Sequence, residues 1–256
     1  MAVHVEWIAH AALHNNPGLV FHGLDSLRVT RGVKADEGAG TVLKAYGGKA
    51  TREGDFFTVV VELRGLLAGG REVPYSRAAV VLTAKLPAPP AAEPDPSIAP
   101  YPHTVDEVYR HFLFHGPDLQ AIESVSGLTD LAVVATAYPA ASPSEWFTNP
   151  LRSSWVAEPM VLDAAFQLMI LWSLAQHGSP SLPCFVGRYR QYRRSFPAGP
   201  VKVVIRVTRD NGTFARADMD FLDAAGVVVA RLQDFECMIE ANLAQSFRRN
   251  TLAPRK

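Results

Sequence analysis

Pro159-Met160-Val161-Leu162-Asp163-Ala164-Ala165-Phe166-Gln167-Leu168-Met169-Ile170-Leu171-Trp172 is the stretch on which the fold turns. Proline opens it, where a missing amide hydrogen is no loss, and Gly178 stands just past its far end, so it reads as a helix over about 160–177. Apolar side chains fall on most sides of that helix, and such a helix has to be covered on most sides. A sheet wrapped about a central helix does this. Two polar residues interrupt the run, Asp163 and Gln167, and their i, i+4 spacing puts both on one face. A carboxylate here has two readings. It is favoured near a helix N-terminus by the macrodipole, or it is a functional group with no other reason to face a core.

Downstream of this helix the pattern changes to strands, expected at 182–195, 201–208, 213–222 and 227–239, with Asp210-Asn211-Gly212 and Asp223-Ala224-Ala225-Gly226 as turns. The same order occurs at the start of the chain. A helical pattern near 2–14, with Val5, Ile8, Ala9 and Ala12 on one face, ends at Asn15-Asn16-Pro17-Gly18. Strands follow at Leu19–Val29, Thr41–Tyr46, Phe56–Leu63 and Ala78–Ala84, with Ala68-Gly69-Gly70 among the turns. One helix followed by four strands occurs twice, which is an internal repeat. Two such units side by side would cover each other's sheet edges around a pseudo-twofold axis. Between them lies LPAPPAAEPDPSIAPYP, residues 86–102, whose seven prolines favour extended geometry and exclude a central strand. The expected organisation is a first half over 1–85, a proline-rich linker over 86–102, a second half over 103–244 prefaced by two strands in 120–138, and a tail over 245–256. The fold class is α+β.

A chain of 256 residues can bury roughly three quarters of the surface it exposes when unfolded, so it needs no disulfide or metal to hold a core. Its 25 basic and 25 acidic side chains cancel, which argues against nonspecific nucleic-acid binding and against attachment to acidic lipid. Cys184 and Cys237 stand apart in apolar stretches and read as reduced core residues of a cytoplasmic protein. The run Met160 to Ala175 is expected to be too short to span a bilayer, and the N-terminus has no signal-peptide pattern. Nucleophile elbow, phosphate-binding glycine loop, His-Glu-x-x-His and Cys-x-x-Cys motifs are absent from the sequence.

Three motifs in order carry a family resemblance: Phe114-His115-Gly116-Pro117-Asp118-Leu119-Gln120, then Leu162-Asp163-Ala164-Ala165-Phe166-Gln167, then Leu182-Pro183 leading into Arg188-Tyr189-Arg190. With HAALHNNPGLVFHGLDSLRV (10–29), the chain resembles the dehydratase domains of polyketide and polyunsaturated fatty acid synthases over nearly its whole length. The resemblance implies a double hot-dog fold, two antiparallel sheets each wrapped around a central helix, with the first unit incomplete at its N-terminus. It also implies loss of water from a 3-hydroxyacyl thioester to give a trans-2-enoyl thioester. That reaction needs a base for the α-proton, an acid for the hydroxyl and a donor for the enolate oxygen. By the resemblance Asp163 is the acid, Gln167 its orienting neighbour, and His115, Gly116, Pro117 and Leu119 border the substrate. No metal and no cofactor are implied beyond the phosphopantetheine arm of an acyl carrier protein. That carrier, the other synthase domains and a second copy of the chain are the expected partners, with nucleic acid and membrane excluded.

The family's base is a histidine in a His-x-x-x-Gly-x-x-x-x-Pro motif, which this sequence does not contain. The expectation is therefore a truncated or a degenerate domain, impaired in turnover, and more readily the former because the Asp163 motif is retained. His4 falls at the pseudosymmetric counterpart of Asp163 and reads as solvated or capping rather than as a replacement base. His22, His103, His111 and His177 read as polar surface. Arg188, Arg190 and Arg194 share one face of an expected strand, where they either steer an acidic carrier protein or form an ordinary solvated face. Two other readings stay open: a non-catalytic pseudo-dehydratase that binds acyl chains or scaffolds a dimer, and a hot-dog thioesterase.

Overall fold

A computed structural model describes residues 1–33, 42–67 and 70–244. In chain order the elements are α1 (Ala2–His14), β1 (Val20–Val29), β2 (Leu43–Gly47), β3 (Thr51–Glu53), β4 (Phe56–Leu66), β5 (Glu72–Thr83), β6 (Ala99–Pro100), α2 (Val105–Glu107), β7 (Ile122–Leu128), β8 (Ala132–Ala137), α3 (Pro143–Trp146), α4 (Pro159–His177), β9 (Ser181–Gln191), β10 (Val201–Asp210), β11 (Phe214–Leu222) and β12 (Val228–Ile239). All strand pairs are antiparallel and form one sheet in the order β2-β4-β5-β1-β9-β12-β11-β10-β8-β7-β6, with β3 hanging on β4. The repeat is visible in that order. β1 meets β9 at the centre, and moving outward β5 corresponds to β12, β4 to β11 and β2 to β10.

The centre is a close contact. Leu24 faces Tyr189 and Leu27 faces Val186 across the β1/β9 ladder. Gly23 lies so near β9 that an added Cβ would sit 1.9 Å from the Tyr189 carbonyl oxygen, so only glycine fits where β1 bulges. Each half-sheet curls around its own helix. α4 buries fourteen of its nineteen residues, which is why it needs apolar side chains on nearly every side. It starts with Pro159 at its first turn and stops at Gly178, whose left-handed backbone (φ 62°) lets its N–H reach the Leu174 carbonyl at 2.9 Å. Inside, Phe166 of α4 stacks on Phe235 of β12 with ring centres 5.1 Å apart.

Several expectations are adjusted. The helix expected to be too short for a bilayer runs 19 residues and is apolar enough to cross one by composition, but 78% of its most apolar window is packed inside the sheet, which identifies a core helix. β9 ends at Gln191 rather than 195, because the Gln191 side chain donates to the Arg193 and Val156 carbonyls and draws the chain out of the ladder. β5 begins at Glu72, six residues before the expected start, since β4 pairs with it back to Leu66. β3, a fully exposed three-residue strand without alternation, has no sequence signal. The residues Thr41, Ala68 and Gly69, and the tail 245–256, lie outside the described residues. His22 is not surface. It is buried and holds the Gln191 carbonyl through Nδ1 at 2.9 Å. Cys237 is buried as expected, whereas Cys184 is only half-buried, and both are free thiols pushed up to about 11 by burial.

The proline-rich segment is an ordered strap across the outer face of β10–β12. Arg206 and Arg231 clamp the buried Asp220 between them and reach Pro94 and Ala91 carbonyls and the Glu93 carboxylate. The strap ends as β6 at the sheet edge, where its prolines cost no ladder bonds.

A carboxylate joins the two halves. Glu6 of α1, 2% exposed, accepts hydrogen bonds from the Val156 and Ala157 amides at 2.8 and 2.7 Å and from His10 at 2.9 Å. It thereby fixes the chain that leads into α4. Next to it Glu158 is buried with a left-handed backbone (φ 52°) and accepts from the Ala140 amide at 2.6 Å. Burial first, and then the Glu6 charge, push the Glu158 carboxyl up to about 7. An unfolded chain releases this proton near the ordinary value of 4.5, whereas the folded protein holds it to about 7. The stabilisation is complete below the lower value and is lost as pH rises to the upper one. Chemical denaturation from pH 4 to 8 should show wild type losing up to about 3 kcal/mol relative to Glu158→Gln. A difference between the two proteins that does not change with pH would contradict this.

Candidate active site

Asp163 is placed by α4, four residues in from Pro159, and is held by a chain of hydrogen bonds whose direction can be derived. The Ile122 amide, which can only donate, reaches the Tyr109 hydroxyl oxygen at 2.9 Å. The Tyr109 proton is therefore free to go to Gln167 Oε1, 2.9 Å away. That turns the Gln167 amide nitrogen toward Asp163 Oδ2 and the Leu119 carbonyl, each at 2.8 Å. Oδ2 of Asp163 is thus the oxygen that accepts from the Gln167 amide. The i, i+4 spacing read from the sequence brings the two side chains into hydrogen-bond contact.

The Phe114–Gln120 segment supplies the rest. Gly116 and Pro117 open a short 3-10 turn (Pro117–Leu119), which aims the Leu119 carbonyl at Gln167. The Leu119 carbonyl accepts from the Gln167 amide at 2.8 Å. His115 packs over Asp163, with Nε2 3.6 Å from Oδ2, and Phe114 stacks on its ring at 4.2 Å. Burial pushes the His115 imidazole down from its ordinary value while the Asp163 charge opposes the shift.

Sequence reading missed Tyr109. It lies in a π-helical turn (Val108–Phe112) continued from α2, whose start carries a capping box of Thr104 and Glu107. That box was legible as a helix start, but nothing in the sequence points a tyrosine at Gln167, 58 positions away. Burial and the nearby Asp163 carboxylate raise the Tyr109 hydroxyl, so it stays a donor at any physiological pH.

His4 is neither solvated nor a cap. It is buried, with Nδ1 2.8 Å from Ser76 Oγ of β5, and burial drives it down to about 4. Met1, Trp7 and His4 line one wall of a cleft of about 570 Å³ whose other wall includes Leu182, Cys184 and Met238. Arg190 is a packing residue: it spans Asp25 Oδ2 and the Leu24 and Tyr189 carbonyls at 2.9 to 3.1 Å. Arg188 is 60% exposed beside Asp25, and Arg194 lies beyond the end of β9, so the three arginines do not share one strand face. His177 is paired with Asp210 at 2.9 Å.

A helix wrapped by a curled antiparallel sheet, doubled about β1 and β9, is shared by the dehydratase domain of RzxB from Pseudomonas fluorescens (TM-score 0.69, 17% identity, covering 92% of this chain and 84% of that one). The dehydratase domain of the CurF module of curacin polyketide synthase is similar (TM-score 0.70, 15% identity, 93% and 84%). A trans-acyltransferase polyketide synthase enoyl-isomerase shares the fold as well (TM-score 0.63, 12% identity, 92% and 88%). In sequence, the chain is 28% identical over 224 residues to a polyunsaturated fatty acid synthase polypeptide of Thraustochytrium sp., an alignment covering 83% of this chain and 8% of that protein. The profile of the polyketide synthase dehydratase N-terminal domain matches residues 87–246, and the chain belongs to that family.

Tyr109→Phe removes one oxygen and leaves the Ile122 amide and Gln167 Oε1 without their shared partner. Urea denaturation should give a loss of about 1–3 kcal/mol. An unchanged midpoint would mean that the Tyr109 hydroxyl does not bridge the two groups.

Proposed function

We propose that this chain is a hydro-lyase domain that removes water from a 3-hydroxyacyl thioester carried on the phosphopantetheine of an acyl carrier protein, giving a 2-enoyl thioester. The observation that carries the reading is the Asp163–Gln167 pair: a half-buried carboxyl group oriented by an amide that donates to one of its oxygens. A carboxylic acid so oriented suits protonation of a departing hydroxyl, a weak leaving group that needs one. Gly116 and Pro117 support the site through the turn that sets the Leu119 carbonyl. Other domains of a cytoplasmic synthase, and a second copy of the chain, are the partners that fit such a module. With Arg190 committed to Asp25, Arg188 is the strand arginine still offered to an acidic carrier.

The test is the reverse reaction, hydration of crotonyl-pantetheine, followed by mass spectrometry. Wild type should add the mass of water at the impaired rate expected of a sequence without the His-x-x-x-Gly-x-x-x-x-Pro motif, and Asp163→Asn should lower that rate by about 10²- to 10⁴-fold with an unchanged melting temperature. Migration of the double bond with no change of mass would point to an isomerase. Release of free pantetheine thiol would point to a thioesterase, and either result alone would overturn the proposal.

A further inference from the structure

The chain between β8 and α4 is a long loop closed at its neck. Ala140, just past the end of β8, donates its N–H to the Glu158 carboxyl group at 2.6 Å, and Glu158 stands immediately ahead of α4. Eighteen positions separate the two, so this one bond draws together the ends of the excursion. A second closure lies beside it, from the Trp155 indole N–H to the Ala141 carbonyl at 2.6 Å, and Trp155 packs edge-on against Trp146 and Phe147 within the loop. Only the four-residue α3 interrupts the stretch. Connections this long with so little regular structure are uncommon in compact folds, and active-site lids are among those that occur.

The neck is held by a residue under strain on two counts. Glu158 has a left-handed backbone (φ 52°), although it carries a side chain and precedes a proline, which favours extended geometry. Its side chain is also buried, 7% exposed, within reach of the charge of a second buried carboxylate, Glu6. The titratable and charged groups that face Glu158 are Glu6 of α1, with His10 of the same helix bonded to it, and the Tyr189 hydroxyl of β9, which donates to Gln191 at 3.0 Å. No cation pairs with Glu158 among the described residues.

We propose that the loop over residues 140–158 is a proton-controlled flap: the Glu158–Ala140 bond latches it while the Glu158 carboxyl group is protonated, and loss of that proton opens it at the head of α4.

A neutral carboxyl group can stay beside Glu6 in the core, whereas a carboxylate there has neither water nor a cation to balance it. Hydration requires the side chain to leave. Leaving breaks the Ala140 bond and lets residue 158 relax toward the extended backbone that a following proline favours. Charge and backbone strain therefore act in the same direction. Burial, opposed by the Ala140 amide and reinforced by Glu6, raises the carboxyl group from 4.5 to about 7. The closed flap holds the proton to the upper value and the open one releases it near the lower, so closure is strongest below 4.5 and weakens as pH rises to about 7. Asp163 lies on the second turn of α4, and the flap sets how firmly that helix is anchored at its start. The device belongs to the fold and stands whether or not Asp163 is an acid catalyst.

The test is amide hydrogen exchange of the wild-type chain followed by NMR between pH 5 and 8, corrected for the intrinsic pH dependence of exchange and repeated at several low urea concentrations. The Ala140, Val156 and Ala157 amides should exchange through a local opening whose urea dependence is well below that of amides in β1 and β9, because little surface is exposed by it. Their protection should fall about 10- to 100-fold from pH 5 to pH 8. In Glu158→Gln, which keeps an oxygen for the Ala140 amide and cannot ionise, their protection should not change with pH. In Glu6→Gln, which removes the neighbouring charge, the fall should be smaller than in wild type. The wild-type profile decides even if a variant does not fold. Exchange of the three amides with the same urea dependence as β1 and β9 would mean that the loop opens only with the whole protein, and would overturn the flap. Wild-type protection that does not change with pH, or a full fall that persists in Glu158→Gln, would overturn the role of the Glu158 proton.

Discussion

The burial of α4 is the constraint from which the rest of the molecule follows. A nineteen-residue helix with apolar groups on nearly every side cannot lie on a surface, and only a sheet that bends around it covers enough of it. Bending leaves the sheet with open edges. Joining β1 to β9 removes one edge from each half and sets the pseudo-twofold axis, with Gly23 allowing the close approach. Once α4 is enclosed, any polar residue it carries must be satisfied from within, and that requirement creates the site.

Asp163 and Gln167 are satisfied by the segment that precedes α4. The run from Thr104 to Ala137 adds β7 and β8 beyond β10, and on the way lays Tyr109, His115 and the Leu119 carbonyl against one face of α4. Tyr109 is locked by the β7 amide of Ile122, so the outer strand fixes the orientation of a carboxyl group in the core. From the other side Glu6 of α1 holds the Val156 and Ala157 amides just ahead of α4. The first half thus fixes where the helix that carries Asp163 begins.

The fold was largely legible because its signals are strong and local. A long apolar helix bounded by Pro159 and Gly178, strands parted by glycine turns, and the repeated order of both survive translation into structure almost element for element. The Asp163–Gln167 pair was legible for the same reason, since helical spacing decides which side chains are neighbours. What escaped was non-local. Tyr109 is bound to Gln167 across 58 positions, Glu6 to Val156 across 150, and no periodicity reports such contacts. His4 was read as solvated or capping and His22 as surface because a lone histidine resembles polar surface in sequence, whereas each is buried on a specific acceptor or hydroxyl. Arg190 was read as part of a docking face, but Asp25 on the neighbouring strand occupies it.

The central claim is that acyl thioester chemistry takes place at Asp163, and the most direct measurement is a crystal structure of the Asp163→Asn protein with 3-hydroxybutyryl-pantetheine. The account predicts the 3-hydroxyl in hydrogen-bond contact with the side chain at position 163. A ligand whose hydroxyl lies away from position 163, for instance wholly within the cleft between Trp7 and Met238, would contradict it.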